Sequence, residues 1–227
     1  MASFEQHING AVIASGVIIA PLHSAGLIST DGAFIMLFLG MVGGILPDLD
    51  SDSSKPLQVA FKIISIFAPL LVLLHLGKEF PLLVMIAIWI LSSLLMHLIL
   101  FRSFIALTTH RGIIHSIPMG VVFAQLTIAF FHFNLHYSVE FSSIAGFFLL
   151  YGFLIHLLLD EVVSLNALGL RVKHTIGSAF KLFDFKNWRG SIILYLLIAF
   201  FAYMVPVSLD IFEKMFDVYK GMKFYQF

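Results

Sequence analysis

The chain has no cysteine among its 227 residues. That excludes a disulfide framework, a thiolate nucleophile and Cys-ligated zinc or iron–sulfur centres. Charge is scarce as well: 11% of the residues are Asp, Glu, Lys or Arg, against about 25% in soluble domains. The 13 basic residues balance the 13 acidic ones, so there is no net basic field to hold nucleic acid and no acidic tail to sustain disorder. Repeats, low-complexity tracts and long polar linkers are missing, which makes one integral membrane domain over 1–227 the economical expectation. No Lys or Arg precedes the first apolar run, and Glu5 stands there instead. This is unlike the positive start of a cleaved signal peptide, so residue 1 is expected to belong to the mature protein.

What is abundant is apolar surface, 60% of the residues with 25 Phe. That is a bilayer composition, because a soluble domain uses about 45–50% apolar residues. Runs approaching the about 20 residues that span a membrane fall at 9–27, 33–46, 57–76, 81–101, 117–133, 141–159 and 191–209. The second is short, and the third carries Lys62 and Pro69, so either can be an interfacial or bent helix. The expected fold is all-α, a polytopic bundle of six to seven transmembrane helices.

Seven crossings put the N-terminus and the segments 47–56, 102–117 and 161–190 on one side. Nine of the 13 basic residues fall on that side, Lys62 near the start of the third span and the rest in those segments: Lys55, Lys62, Arg102, Arg111, Arg171, Lys173, Lys181, Lys186 and Arg189. The positive-inside rule places that side in the cytoplasm of a cell inner membrane.

Four polar clusters interrupt the apolar pattern, all at span ends on that same side. His7 precedes the first span, where it also reads as a solvated terminal residue. After Gly43 and Gly44, the stretch from Pro47 to Asp52 sets Asp48, Asp50 and Asp52 at alternate positions. In extended backbone Asp48 and Asp50 would point the same way and converge on one cation. A calcium loop of the EF-hand kind fails here, because its sixth and twelfth positions are Ser53 and Val59 rather than Gly and Glu. A plain helix cap with solvated acids is the competing explanation.

In the third cluster, His110, Arg111 and His115 lead into the fifth span, with Pro118 in its first turn. Two imidazoles and a guanidinium beside a helix N-terminus, with its unpaired N–H groups, suit a phosphate. A bland basic surface loop would have little reason to pair His. In the fourth, His156 and Asp160 stand at i,i+4 on one helical face, extended by Gly152 and Ser164. Polar groups in a span cost about 2–3 kcal/mol and generally have a partner and a role, although a self-satisfied His–Asp pair is the simpler reading.

His and carboxylate without Cys is the ligand set of a divalent metal, zinc foremost, with manganese and iron also compatible. The clusters hold enough donors for more than one ion. Arg111 cannot ligate a metal, and as a non-ligand it would clamp a phosphoryl oxygen. Of the other histidines, His23, His75, His132 and His136 read as structural, His97 as a support to the site, and His174 as a late contact to metal or substrate.

His7 with Gly10, the G-x-x-P-D-x-D of Gly44–Asp50, the H-R-G-x-x-H-S of His110–Ser116 and the H-x-x-x-D of His156–Asp160, in this order, resemble the bacterial and archaeal family of inner-membrane metal-dependent hydrolases, some of whose members are described as LexA-binding. The resemblance runs from His7 to the helix after Trp188. It implies a membrane-embedded hydrolase with distant likeness to zinc-dependent phospholipase C, and metal ligands at His7, Asp48, Asp50, His110, His115, His156 and Asp160. Ile114 stands where the family has Thr, Thr109 stands where it has Pro, and the Thr-rich stretch after the last motif is reduced to Ser164.

The expected activity is therefore hydrolysis of a phosphoester in a lipid or lipid-linked substrate by a metal-activated water at the cytoplasmic interface. Asp48 or Asp160 would take a proton, and Arg111 would hold the phosphate. Membrane lipids are the expected partners, nucleic acid is not, and the basic segment from Arg171 to Arg189 offers a place for a protein partner. The alternative is a non-catalytic membrane protein, a metal-ion carrier or a regulator that retains a His/Asp metal site. A carrier should place its polar residues at mid-bilayer, not at span ends.

Overall fold

The computed structural model describes residues 3–50, 65, 66, 69, 70, 73, 80–108, 114–166, 180–185 and 187–221, with the side chains of 49, 50, 96, 97, 99–108 and 164–166 outside that description. The described residues are helical almost throughout, and their one β feature is an isolated bridge between Ser116 and Lys181. The helices are α1 (Phe4–Ser24), α2 (Thr30–Ile45), α3 (Leu82–Thr108), α4 (Ile117–Ala129), α5 (Val139–Asn166), α6 (Trp188–Met204) and α7 (Leu209–Gly221). A 3₁₀ turn, Leu46–Asp50, prolongs α2, and a π turn, Phe130–Asn134, prolongs α4. The chain forms two compact units, one of Met1–Asp48 with Gly112–Phe227 and the other of Leu49–Arg111.

The all-α bundle expected from composition is the fold. Among the described residues, four segments are long and apolar enough to cross a bilayer: Phe4–Ser24, Thr30–Asp48, Ile117–Asn134 and Val139–Val163. The pair α6 and α7 makes a fifth if its 94° bend is counted inside one span. The candidate span at 57–76 lies mostly outside the described residues. The last candidate, 191–209, is shorter than expected because the helix stops at Met204. Pro206 disfavours helical backbone in Val205, which is extended at φ −103° and ψ 118°. The chain then turns into α7, whose Ile211 and Met215 are buried while Leu209 and Phe216 face outward.

Helix starts follow local chemistry. Ser3 and Gln6 form a capping box on α1. The Ser29 hydroxyl accepts from the Gly32 amide at 3.1 Å on α2, and the Asn187 side chain accepts from Gly190 at 3.1 Å on α6.

In the larger unit α1, α2, α4 and α5 alternate in direction, with α5 packed against the other three. Glycine brings α2 against α5. A Cβ on Gly43 would strike the Leu149 carbonyl, and one on Gly152 would strike the Gly40 carbonyl. Gly44 meets α1, where an added Cβ would lie 2.5 Å from that of Ala11. Bare backbones therefore touch, which gives helices close contact where lipid provides no hydrophobic drive. One end of the unit is a dry cluster that includes Ile19, Leu22, Met36, Ile144, Phe148 and Met215. At that end the Tyr219 hydroxyl of α7 donates to the Ile18 carbonyl at 2.7 Å. The opposite end is polar.

In the smaller unit the Trp89 indole on α3 donates to the Ile66 carbonyl at 2.9 Å, and Leu82, Leu83 and Leu91 are exposed.

Candidate metal centre

The polar end gathers His7 from the first turn of α1, Asp48 from the 3₁₀ turn, His115 from the approach to α4, and His156 with Asp160 from the last part of α5. His7 and His156 are 1% and 0% exposed, which is deep burial for two imidazoles. Their rings stack with centroids 3.6 Å apart and planes 14° from parallel, and both Nε2 atoms meet the same two carboxylates. His7 Nε2 lies 3.3 Å from Asp160 Oδ1 and 3.9 Å from Asp48 Oδ2. His156 Nε2 lies 3.5 Å from Asp48 Oδ1 and 3.7 Å from Asp160 Oδ2. His115 Nε2 closes the ring at 4.0 Å from Asp160 Oδ2.

These spacings discriminate between two kinds of polar site. A hydrogen-bonded His–Asp network would hold N and O at about 2.7–3.2 Å, and every pair is longer than that. Donors about 2.0–2.1 Å from a tetrahedral zinc ion would stand about 3.4 Å apart, close to the shorter distances here. Two triads keep all their donor atoms within 4.8 Å of one another: His7, His156 and Asp160, and Asp48, His115 and His156. The Nε2 atoms of His7, His115 and His156 are buried with no hydrogen-bond partner among the described residues. Buried polar nitrogens are rarely left so, and a cation accepts their lone pairs.

Tautomer follows from the backbone. His156 Nδ1 lies 2.7 Å from the Gly44 carbonyl; a carbonyl only accepts, so Nδ1 carries the proton, and in the neutral ring Nε2 presents its lone pair to the space between the carboxylates. In that tautomer Nε2 has no proton for Asp160, and His156 can ligate a single ion. His115, in the loop, is held below the ordinary imidazole pKa, first by burial and then by His156, which keeps it neutral and able to ligate near pH 7. Two ionised carboxylates match the charge of one divalent ion.

Sequence expectation and structure part at two places. Asp48 and Asp50 do not lie on extended backbone. Their segment is a 3₁₀ turn, in which residues two apart point about 120° away from each other at 3.0 residues per turn. Asp48 enters the cluster, and the side chain of Asp50 lies outside the described residues. Secondly, the N–H groups at the start of α4 are not unpaired. Ile117 donates to the Lys181 carbonyl at 3.1 Å and Met119 to the Ser116 carbonyl at 3.1 Å, while Pro118 has no N–H. The amide cradle for phosphate is therefore closed, and the helix dipole alone remains. Ile114, which stands where the resembled family has Thr, is buried at 4% exposure.

His110 and Arg111 lie outside the described residues, as do His75, His174 and the His97 side chain. The structural reading of two distal histidines holds: His23 bonds the Thr30 hydroxyl at 3.2 Å, and His132 the Tyr137 carbonyl at 3.1 Å. What sequence reasoning missed is the Gly44 carbonyl as the orienting acceptor. Gly43 and Gly44 were a signal only for close approach.

The chain matches a recognised membrane family over most of its length. The family model described as YdjM inner membrane protein matches residues 1–212. The chain belongs to the YdjM inner membrane protein family. The match takes in all five clustered donors and agrees with the apolar helices on a membrane location. Neither the curated proteins nor the solved structures contain a match to the chain. The family description names a membrane protein, without an activity or a metal.

Proposed function

We propose that this chain is a membrane-embedded, divalent-metal-dependent hydrolase that cleaves a phosphoester of a lipid or lipid-linked substrate. The observation that carries the proposal is the set of three buried Nε2 atoms, without hydrogen-bond partners among the described residues and turned toward two carboxylates at one end of the bundle. Zinc fits this donor set best, and manganese and iron share it. A divalent ion supplies Lewis acidity and lowers the pKa of water toward neutrality.

The chain's own groups do the rest. Asp48 is about one-third exposed and His115 one-quarter, so the cluster has an open side, in keeping with a reaction site; a purely structural metal site is closed. Asp48 is the better placed of the two carboxylates to take a proton from attacking water, being the more accessible. Arg111, four residues before His115, brings a planar guanidinium suited to phosphate. The apolar flanks point to a substrate drawn from the bilayer. The basic residues of the sequence from Arg171 to Arg189, on the metal-site side by span parity, favour the cytoplasmic face and offer a contact for a protein partner.

The test combines elemental analysis of purified protein with a screen of phospholipids and polyprenyl phosphates for released headgroup or phosphate. Stoichiometric metal with hydrolysis abolished by a chelator and restored by zinc is the expected result. Tightly held metal without hydrolysis of any member of the panel would favour the non-catalytic, regulatory reading.

A further inference from the structure

The larger unit has a second feature that the metal centre does not use. Helices α2 and α4 each take α5 as a principal packing partner, and the gap between them is a groove of about 730 Å³, within the range of about 300–1,000 Å³ usual for ligand pockets. Phe34, Phe38 and Val42 form one wall, Phe123 and Phe130 the other, and Leu149 of α5 contributes to the lining between them. The groove presents almost no polarity. The hydroxyl of Thr127, one of its few polar side chains, is already donated to the Phe123 carbonyl at 2.9 Å.

From Phe34 to Leu46, at the end of α2, the wall advances by twelve residue steps, about 18 Å at 1.5 Å each. One leaflet of hydrocarbon is about 15 Å deep, half of the bilayer core. The groove thus runs along the bundle for about the depth of a leaflet, and its Leu46 end lies two residues from Asp48.

We infer that this groove seats one acyl chain of the lipid whose phosphoester reaches the His/Asp cluster, an inference that rests on the hydrolase reading above. Three properties select an acyl chain as occupant. The groove is concave, its lining is apolar apart from Thr127 and Tyr137, and its Leu46 end precedes Asp48 by two residues in the chain. A flat lipid-facing surface would give a substrate no register. A groove whose Leu46 end leads toward the Asp48 turn holds the chain so that the headgroup is delivered toward the carboxylates.

The test uses the full chain in phosphatidylcholine nanodiscs doped with phosphatidic acid carrying a photoactivatable diazirine in one acyl chain, with crosslinked peptides mapped by mass spectrometry. Labelling concentrated on α2 and α4 residues of the groove, at least fivefold above that on exposed α1 residues Ile13 and Val17, is expected. Leu126→Trp narrows the groove from its rim and Val42→Trp from the opposite wall. Each should cut groove labelling at least fivefold while zinc content and elution volume stay unchanged, and two variants guard against a misfolded one.

Labelling spread evenly over lipid-facing residues overturns the inference, as does crosslinking of groove residues to a second copy of the chain. Unchanged labelling in both Trp variants overturns it too. Groove labelling without hydrolysis of any phospholipid supports the acyl seat and counts against the phosphoester reading. Hydrolysis without groove labelling sinks the seat alone.

Discussion

The contact between Gly40 and Gly152 ties packing to metal binding, and Gly152→Ala tests that tie with a single methyl group. An added Cβ would strike the Gly40 carbonyl oxygen and lie 2.8 Å from its carbon. Ordinary carbon contacts begin near 3.5 Å, so α2 and α5 must part by about 0.7 Å to relieve the carbon and somewhat more for the oxygen. Backbone lies on both sides of the contact, so no rotamer can absorb the shift. The same displacement pulls the Gly44 carbonyl from His156 Nδ1, now 2.7 Å away, and Asp48 from His156 Nε2, now 3.5 Å away. Overpacking of this kind costs about 1–3 kcal/mol of stability. Losing the orienting partner of a ligand histidine weakens metal binding about 10–100-fold, or about 1.4–2.8 kcal/mol. Zinc affinity is read by competition with a chromophoric chelator on metal-stripped protein in detergent, and folding by size exclusion and thermal melting. Gly16→Ala is the control, because a Cβ there meets nothing within 4 Å, and its zinc affinity should equal that of the wild type. If Gly152→Ala folded and bound zinc within twofold of wild type, the claim that glycine packing sets the metal geometry would be wrong.

His156→Ala or Asp160→Asn should lower bound metal at least tenfold, while His132→Ala, whose ring bonds only the Tyr137 carbonyl among the described residues, should keep it; equal metal content in all three variants would remove the assignment. Arg111→Ala should retain metal but lose turnover, and Arg111→Lys should weaken the transition-state contact by about 1–3 kcal/mol because it keeps charge without the planar fork. Wild-type hydrolysis by Arg111→Ala, or loss of metal in step with activity, would make Arg111 an anchor of its loop. A reporter fused after Phe227 should read as extracytoplasmic, since α7 packs at the end of the unit opposite the metal centre; a cytoplasmic signal would reverse the orientation.

Composition alone determined the class of this protein. With 60% apolar residues the chain belongs in a bilayer, where only helices and closed barrels satisfy the backbone, and apolar runs near 20 residues long select helices. Parity then placed His7, Asp48, His115, His156 and Asp160 at one end, because alternating spans return the chain to the same side, and those five are the residues that meet. Local pattern also marked the i,i+4 spacing of His156 and Asp160 and the first-turn place of Pro118. Sequence could not reveal the stacking of His7 on His156 or the 3₁₀ form of the Asp48 turn. It could not foresee the Ile117 amide taken by Lys181 either, since each depends on a backbone brought in from elsewhere in the chain. The tautomer of His156 is the clearest case. A carbonyl 112 positions away in sequence fixes it, and only the glycine contacts of α2 with α5 and α1 bring that oxygen to the ring.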